Sequence, residues 1–200
     1  MVTETSLMKL ALGEAWERLP PALQAHYQAQ PNRDVGALDI EYPRAMQLYL
    51  DVLRQLGALV NRRGSAVPTV VEKRIQGGIQ YWKRVIRFED GAYVRFESRW
   101  VYGGGSRLIE YVNPVIGLCM EVHVEKGRLH YEGRHFVVKL GPLRLPVPEW
   151  LVLGHTTIVE TALDDGRFAM DFRLRHPVFG QVYRYSGVFR TQAIASTGRQ

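Results

Sequence analysis

Two periods divide this chain: apolar residues recur three to four apart over its first third, and from Val67 nearly to the end they alternate with polar ones. Ser6 opens the helical part as a cap for a stretch with apolar positions at Leu7, Leu10, Ala11, Ala15 and Trp16, and Pro20-Pro21 ends it. Pro21 suits the first turn of a second short helix through Tyr27. Gln30 to Asp34 is a polar break, and Val35 to Glu41 reads as a strand. Pro43 then opens a longer helix that carries Met46, Tyr49, Leu50, Leu53 and Leu56 on one stripe, with Gly57 near its end.

The alternating part predicts nine strands: Val67 to Gln76, Ile79 to Phe88, Tyr93 to Tyr102, Arg107 to Val112, Val115 to Glu125, Arg128 to Leu140, His155 to Leu163, Arg167 to Arg175 and Gln181 to Thr191. Their connections are hairpin material, among them Gly77-Gly78, Glu125-Lys126-Gly127 and Asp164-Asp165-Gly166, so successive strands pair antiparallel. That many strands in series curl rather than lie flat, and closure removes exposed edges. The predicted fold is α+β, mainly β: a strongly curved antiparallel meander sheet of about nine strands, a barrel or half-barrel. N-terminal helices accompany it, and the helix from Pro43 either plugs the mouth or lies in the concave face. Gly141 to Gly154, where Pro142, Pro146 and Pro148 frame Leu145, Trp150, Leu151 and Leu153, reads as a loop or short helix that caps something. The whole is expected to be a single domain, 1–200, helical over 1–60, with a β body over 67–191 and a frayed tail from Ala195 to Gln200.

Alternation also assigns faces. Leu118, Met120, Val122 and Val124 oppose Cys119, Glu121, His123 and Glu125, and Tyr183, Tyr185, Gly187 and Phe189 form the apolar side of the last strand. Gly187 leaves room there for a bend or a close neighbour. One strand departs from the rule. In Trp82-x-Arg84-x-Ile86-x-Phe88 a guanidinium falls on the apolar face. An unpaired buried charge costs several kcal/mol, so Arg84 has to meet a carboxylate, a bound anion or a water-filled cavity, unless it snorkels to solvent or stacks on a ring. Glu160, between Ile158 and Ala162 by the same alternation, is the matching oddity. The two would satisfy each other if the strands bring them together.

Composition narrows the class. With 46% hydrophobic and 23% charged residues, and no uninterrupted apolar run of about 18, the chain has no transmembrane segment. Met1 to Lys9 lacks a basic stretch followed by an apolar core, so a cytoplasmic location is expected. The single cysteine, Cys119, excludes an internal disulfide and a Cys-type zinc site, and its apolar neighbours read as packing for an inert thiol. The net charge of +6 invites nucleic acid, but the basic residues are interspersed with acidic ones and the densest run is Arg62-Arg63. Nucleic acid is therefore not an expected partner.

No nucleophile elbow, P-loop, dinucleotide fingerprint or His-Glu-x-x-His motif is present, and Gly103-Gly104-Gly105-Ser106 lies between strands as a hairpin. Glu121-x-His123-x-Glu125 projects three ligand-type side chains from one face but reads as the wet side of a strand, so neither a metal nor a cofactor is expected. Arg84, Trp82, Trp150, Glu160, Tyr183 and Tyr185 are the candidate ligand-binding residues. Glu160, Glu121 and His123 are the candidates for acid–base chemistry.

Larger blocks carry a resemblance. Leu12-Gly13-Glu14-Ala15-Trp16-Glu17-Arg18-Leu19-Pro20-Pro21-Ala22-Leu23, Trp82-x-Arg84-x-Ile86-x-Phe88, Gly141-Pro142-Leu143-x-Leu145-Pro146-x-Pro148-x-Trp150-Leu151, Asp165-Gly166-Arg167-Phe168 and Tyr185-x-Gly187 together resemble a bacterial family catalogued as domain of unknown function 4166. The likeness spans nearly the whole chain. It supplies no activity. Because some relatives carry the domain behind a nucleotide-binding dehydrogenase-like or epimerase-like domain, it implies association with such a protein and a substrate-holding or lipid-handling role. With the surplus of large apolar groups, the best reading is binding of a small apolar or lipid-like molecule in the concave face of the sheet. The alternatives are an isomerase, cyclase or hydrolase using a Glu or His in the same cavity, or a purely structural or interaction domain.

Overall fold

The computed structural model describes residues 4–194, so the tail predicted from Ala195 lies outside the described residues. Ser6 Oγ accepts the backbone N–H of Lys9 at 3.2 Å and starts α1 (Leu7–Leu12), and a 3-10 turn, Gly13–Arg18, follows. Pro20 breaks the helical run, and α2 (Pro21–His26) begins with Pro21 in its first turn, where the missing N–H costs nothing. Leu7, Met8, Ala11, Trp16 and Leu23 turn into the core. Each large side chain among them stabilises the docking of this layer by about 1.5–3 kcal/mol.

Ten strands close a barrel. They are β1 (Asn32–Glu41), β2 (Gly64–Gln76), β3 (Ile79–Arg87), β4 (Tyr93–Gly104), β5 (Arg107–Tyr111), β6 (Ile116–Glu125), β7 (Arg128–Leu140), β9 (His155–Ala162), β10 (Arg167–His176) and β11 (Gly180–Ala193), with β8 (Leu143–Val147) added outside the closed ring. All pairings are antiparallel between chain neighbours, except that β7 pairs with β9 through Arg128–Glu132 and β11 returns to β1. At that closing seam a Cβ on Gly187 would sit 2.1 Å from the Ala37 carbonyl oxygen, the close neighbour that the sequence anticipates there.

The nine expected strands are all present, and the count rises because the strand foreseen at Val35 runs from Asn32 and joins the ring. The segment expected to be a loop or short helix splits in two. Its first part is β8, which hydrogen-bonds only to the second half of β7, and its second is a 3-10 turn, Glu149–Leu151. As an edge strand, β8 can contain Pro146 without losing a ladder bond that the barrel needs.

The ends differ. The N-terminal helices cover the end holding the β2–β3, β4–β5, β6–β7 and β9–β10 turns, where the Glu4 carboxylate accepts the backbone N–H groups of Gly77 and Gly78. The other end carries α3 (Gln47–Gln55), preceded by a 3-10 turn at Arg44–Met46. Leu50 and Leu53 of α3 point inward, while Leu48 and Val52 stay in solvent.

Candidate functional site

Beneath α3 the barrel is not filled. A cavity of about 370 Å³ opens there, walled by aliphatic and aromatic side chains that include Leu38 and Ile40 of β1, Leu53 and Leu56 at α3, and Phe136 of β7. The alternation of each strand supplies this surface, since one face of every strand turns to the interior. Tyr183 and Tyr185 of β11 complete the wall, and the Tyr183 hydroxyl donates to the Val60 carbonyl at 3.0 Å.

Arg84 and Glu110 form the polar part of the floor. The guanidinium of Arg84 (β3) donates to Ser98 Oγ (β4) at 2.9 Å and to Glu110 Oε1 (β5) at 3.2 Å, and Ser98 Oγ lies 2.6 Å from that same oxygen. Three adjacent strands thus deliver one side chain each to the same layer. The guanidinium also lies 5.1 Å from the Trp82 ring centre and 4.9 Å from that of Phe96. Both partners keep about a seventh of their side-chain surface open, 14% for Arg84 and 15% for Glu110. Among the described residues, two of the five N–H donors of the guanidinium are engaged by side chains.

Past this floor lies a second, smaller chamber of about 50 Å³, which shares Leu38, Arg84, Glu110 and Tyr185 with the first. A buried polar cluster lies against it, with His26, Tyr27, Asp34 and Glu160 in the wall and Lys73 behind. The α2 helix inserts His26, with Tyr27 directly after it, and β1, β2 and β9 contribute Asp34, Lys73 and Glu160. Asp34 Oδ2 lies 2.7 Å from Lys73 Nζ and 2.9 Å from His26 Nδ1, and Lys73 also donates to the His26 carbonyl at 2.6 Å. The Tyr27 hydroxyl reaches both Glu160 oxygens, at 2.9 and 2.8 Å, and Tyr131 of β7 hydrogen-bonds to Tyr27 in turn. His26 Nε2 stands 3.9 Å from Glu160 Oε1. Trp82 and Trp100 stack beside the cluster, their ring centres 4.8 Å apart, and neither indole N–H has a hydrogen-bond partner among the described residues.

Burial sets the proton occupancy of this cluster. Desolvation pushes Glu160 up to about 8, with the Tyr27 hydrogen bond and Lys73 pulling the other way, so the carboxyl is mostly protonated at neutral pH. Desolvation lowers His26 to about 4 against the pull of Asp34, which keeps the imidazole neutral. Asp34 is held well below the usual carboxylate range by His26 and Lys73 in spite of its own burial, and burial lowers Lys73. The result is one ion pair, Asp34 with Lys73, beside a neutral imidazole and a neutral acid. That acid and that imidazole are the pair able to exchange a proton with a small group in the inner chamber.

A family model covers residues 19–189, which include every residue of both chambers. The chain belongs to the family described as domain of unknown function (DUF4166). No curated protein matches it. The family assignment brings no chemistry with it, so the reading of the site depends on the residues themselves.

In this family member the barrel separates the residues singled out by sequence into four groups. Arg84, Tyr183 and Tyr185 line the outer cavity, and Trp82 and Glu160 line the inner chamber. Arg84 and Glu160 do not pair: Glu110 takes the guanidinium, and Tyr27 takes the carboxyl. Trp150 lies at the rim, because its 3-10 turn sends Glu149 inward to Thr156 N and His155, leaving the indole in solvent and only its carbonyl engaged, by His176. Glu121 and His123 are on the outer face, where Glu121 pairs with Arg134 at 2.8 Å and His123 stacks on His130, since their neighbours Met120 and Val122 take the inward positions. Neither side chain faces the barrel interior. Cys119 is buried on that outer face with Tyr111 and Val137, and burial pushes its thiol up. Among the described residues no group of three or more side chains is arranged to hold a metal ion. Sequence reasoning missed His26, Tyr27, Asp34, Lys73 and Glu110.

Proposed function

We propose that this protein binds a small apolar or lipid-like molecule inside the barrel, with its apolar part under α3 and its polar end against Arg84. The observation that carries the reading is the open, almost wholly apolar cavity of about 370 Å³ with a single ion pair at its floor. Small-ligand sites commonly measure about 300–1,000 Å³ and combine apolar walls with a few placed polar groups. The chemistry of the floor narrows the head group. Glu110 already balances Arg84, so an ionised head would bring an unmatched charge into apolar surroundings. A neutral acceptor, such as a ketone, aldehyde, alcohol or amide oxygen, can take the remaining guanidinium donors without that penalty.

Native mass spectrometry beside the denatured mass tests this, with the wild type and Arg84→Ala both incubated with long-chain methyl ketones and alcohols. An excess mass on the wild type that a folded Arg84→Ala loses, or holds at least tenfold more weakly, supports the reading. A clean apo mass for the wild type under every condition overturns it.

A second reading has its own observation. Glu160 and His26 converge at 3.9 Å with proton affinities pushed in opposite directions, the pattern of an acid–base pair. An enzyme of this kind would move a proton on a small reactive group inserted past Arg84, because a chamber of about 50 Å³ has no room for a ligand's body. If that is the function, the compound released from wild type after incubation is an isomer or hydrolysis product of the one supplied, resolved by chromatography and NMR because moving a proton leaves the mass unchanged, and Glu160→Gln releases the supplied compound intact. Release of the unchanged compound from both proteins favours binding alone.

A further inference from the structure

We propose that the open end of the barrel docks on an anionic lipid bilayer, and that the cavity exchanges its ligand with that bilayer. The first half stands on the rim itself, and the second rests on the binding reading above. Three segments build the mouth: residues 44–56 with α3, residues 139–152 with β8 and its 3-10 turn, and residues 175–181 at the β10–β11 turn. They touch one another. The Tyr49 hydroxyl donates to the Val152 carbonyl at 2.9 Å, and His176 Nε2 lies 3.1 Å from the Trp150 carbonyl.

Their outward side chains are the wrong kind for water. Leu48, Val178 and Phe179 are 78%, 77% and 72% exposed, and Leu143, Trp150 and Leu151 each show more than half of their surface. Single exposed apolar residues are ordinary, but these gather around one apolar opening, and Val178 and Phe179 occupy a hairpin tip where small polar residues are the rule. The patch runs into the cavity without a break, since Tyr49, Val52 and Leu56 line the cavity and are also exposed.

Charge selects the occupant. The exposed and half-exposed charged side chains of the three segments include Arg44, Arg54, Lys139, Arg144 and Arg175. Their acids are two: Asp51, which stays ionised while accepting from the neutral amides of Asn61 and Gln47, and Glu149, which is buried on Thr156 N and His155, so the basic residues remain in excess. On the β3–β4 turn at the same end, which also carries Glu89, Asp90 is answered by Arg62 at 2.5 Å. Apolar tips inside a basic collar match a leaflet in which acyl chains lie beneath anionic head groups. A second copy of the chain fits poorly, because two basic collars would face each other.

Co-sedimentation of the full chain with phosphatidylcholine vesicles, with and without phosphatidylglycerol, tests the proposal. The wild type is expected to pellet only with the anionic vesicles, and less as salt shortens the screening length from about 10 Å at 0.1 M to about 3 Å at 1 M. One basic side chain near such a surface is worth roughly fivefold in partitioning, so Arg44→Glu/Arg144→Glu is expected to bind at least tenfold more weakly. Leu48→Glu/Phe179→Glu, which alters exposed positions and is expected to leave the circular dichroism and melting temperature unchanged, is expected to stay in the supernatant. Three results each overturn the proposal: a wild type that stays soluble with anionic vesicles at low salt, variants that pellet as well as the wild type, or a dimer in sedimentation velocity that Leu48→Glu/Phe179→Glu converts to monomer. The native mass measurement, made without vesicles, separates the two readings. A bound mass with no vesicle binding removes the docking and leaves the cavity, whereas vesicle binding with no bound mass removes the cavity and leaves the docking.

Discussion

Glu160→Gln tests the state of the inner chamber. The wild-type carboxyl is raised from 4.5 to about 8 by burial, so the folded protein holds a proton that the unfolded chain releases at any pH between those values. In that window the unfolded state binds one proton fewer than the folded one, and stability therefore falls as pH rises. Each pH unit is worth about 1.4 kcal/mol, so over the whole window Glu160 costs roughly 5 kcal/mol that is absent at pH 4.5 and fully present above pH 8. Glutamine stands in for the protonated acid and titrates nowhere. The stability difference between Glu160→Gln and wild type is thus expected to grow in favour of the variant from pH 5 to pH 8 and to level off beyond. His26, Asp34 and Lys73 titrate in both proteins, so their contributions largely cancel in the difference.

Urea denaturation followed by tryptophan fluorescence reads this directly, because Trp82 and Trp100 are buried beside the cluster. The comparison needs equal slopes against urea for the two proteins at each pH. A gap that stays flat with pH, or one that shrinks, would refute the reasoning. Either would mean that Glu160 is ionised in the fold and that Lys73 outweighs desolvation.

The other perturbations act on parts of the same framework. Asp34→Asn strands Lys73 in the core and is expected to cost about 3–5 kcal/mol, whereas Asp34→Asn/Lys73→Met, which removes both charges, is expected to recover much of the loss in a double-mutant cycle. Gly133→Ala places a Cβ 1.9 Å from Glu149 Oε1, so that carboxylate has to leave Thr156 N and His155. A loss of about 1–3 kcal/mol in urea denaturation is expected, and an unchanged midpoint would show that Glu149 moves aside without cost.

Strand periodicity carried most of the fold, and the same rule held more of the site than was taken from it. Arg84 was conspicuous because its inward neighbours Trp82, Ile86 and Phe88 are large. Lys73 ends an equally regular series, Val67, Thr69 and Val71, and Asp34 leads to Leu38 and Ile40 by the same two-residue step. Those smaller side chains made the charge less conspicuous, not less buried. Glu110 follows Leu108 inward, yet its pairing with Arg84 crosses two strand registers, and alternation within one strand is silent on register. His26 offered no signal of this kind. It sits in the last turn of a six-residue helix, and only the docking of that helix over the barrel end makes it a core residue.

Strand number explains why there is a cavity at all. Eight strands give an interior that side chains can just fill, and diameter grows with each added strand. Ten strands therefore leave a bore that inward side chains cannot close by themselves. At the covered end the shortfall is met from outside the sheet, where His26 and Tyr27 enter from the N-terminal helices and pack against Trp82, Trp100 and Phe168. At the other end α3 presents Leu50 and Leu53 to the core but spans only the mouth, so the bore beneath it stays open. Arg84 and Glu110 stand where the filled half meets the unfilled one, with apolar walls toward α3 and a buried polar cluster behind. A guanidinium at that level meets its carboxylate where the apolar walls begin, and the proposed placement of a ligand's head there rather than deeper rests on that step in polarity.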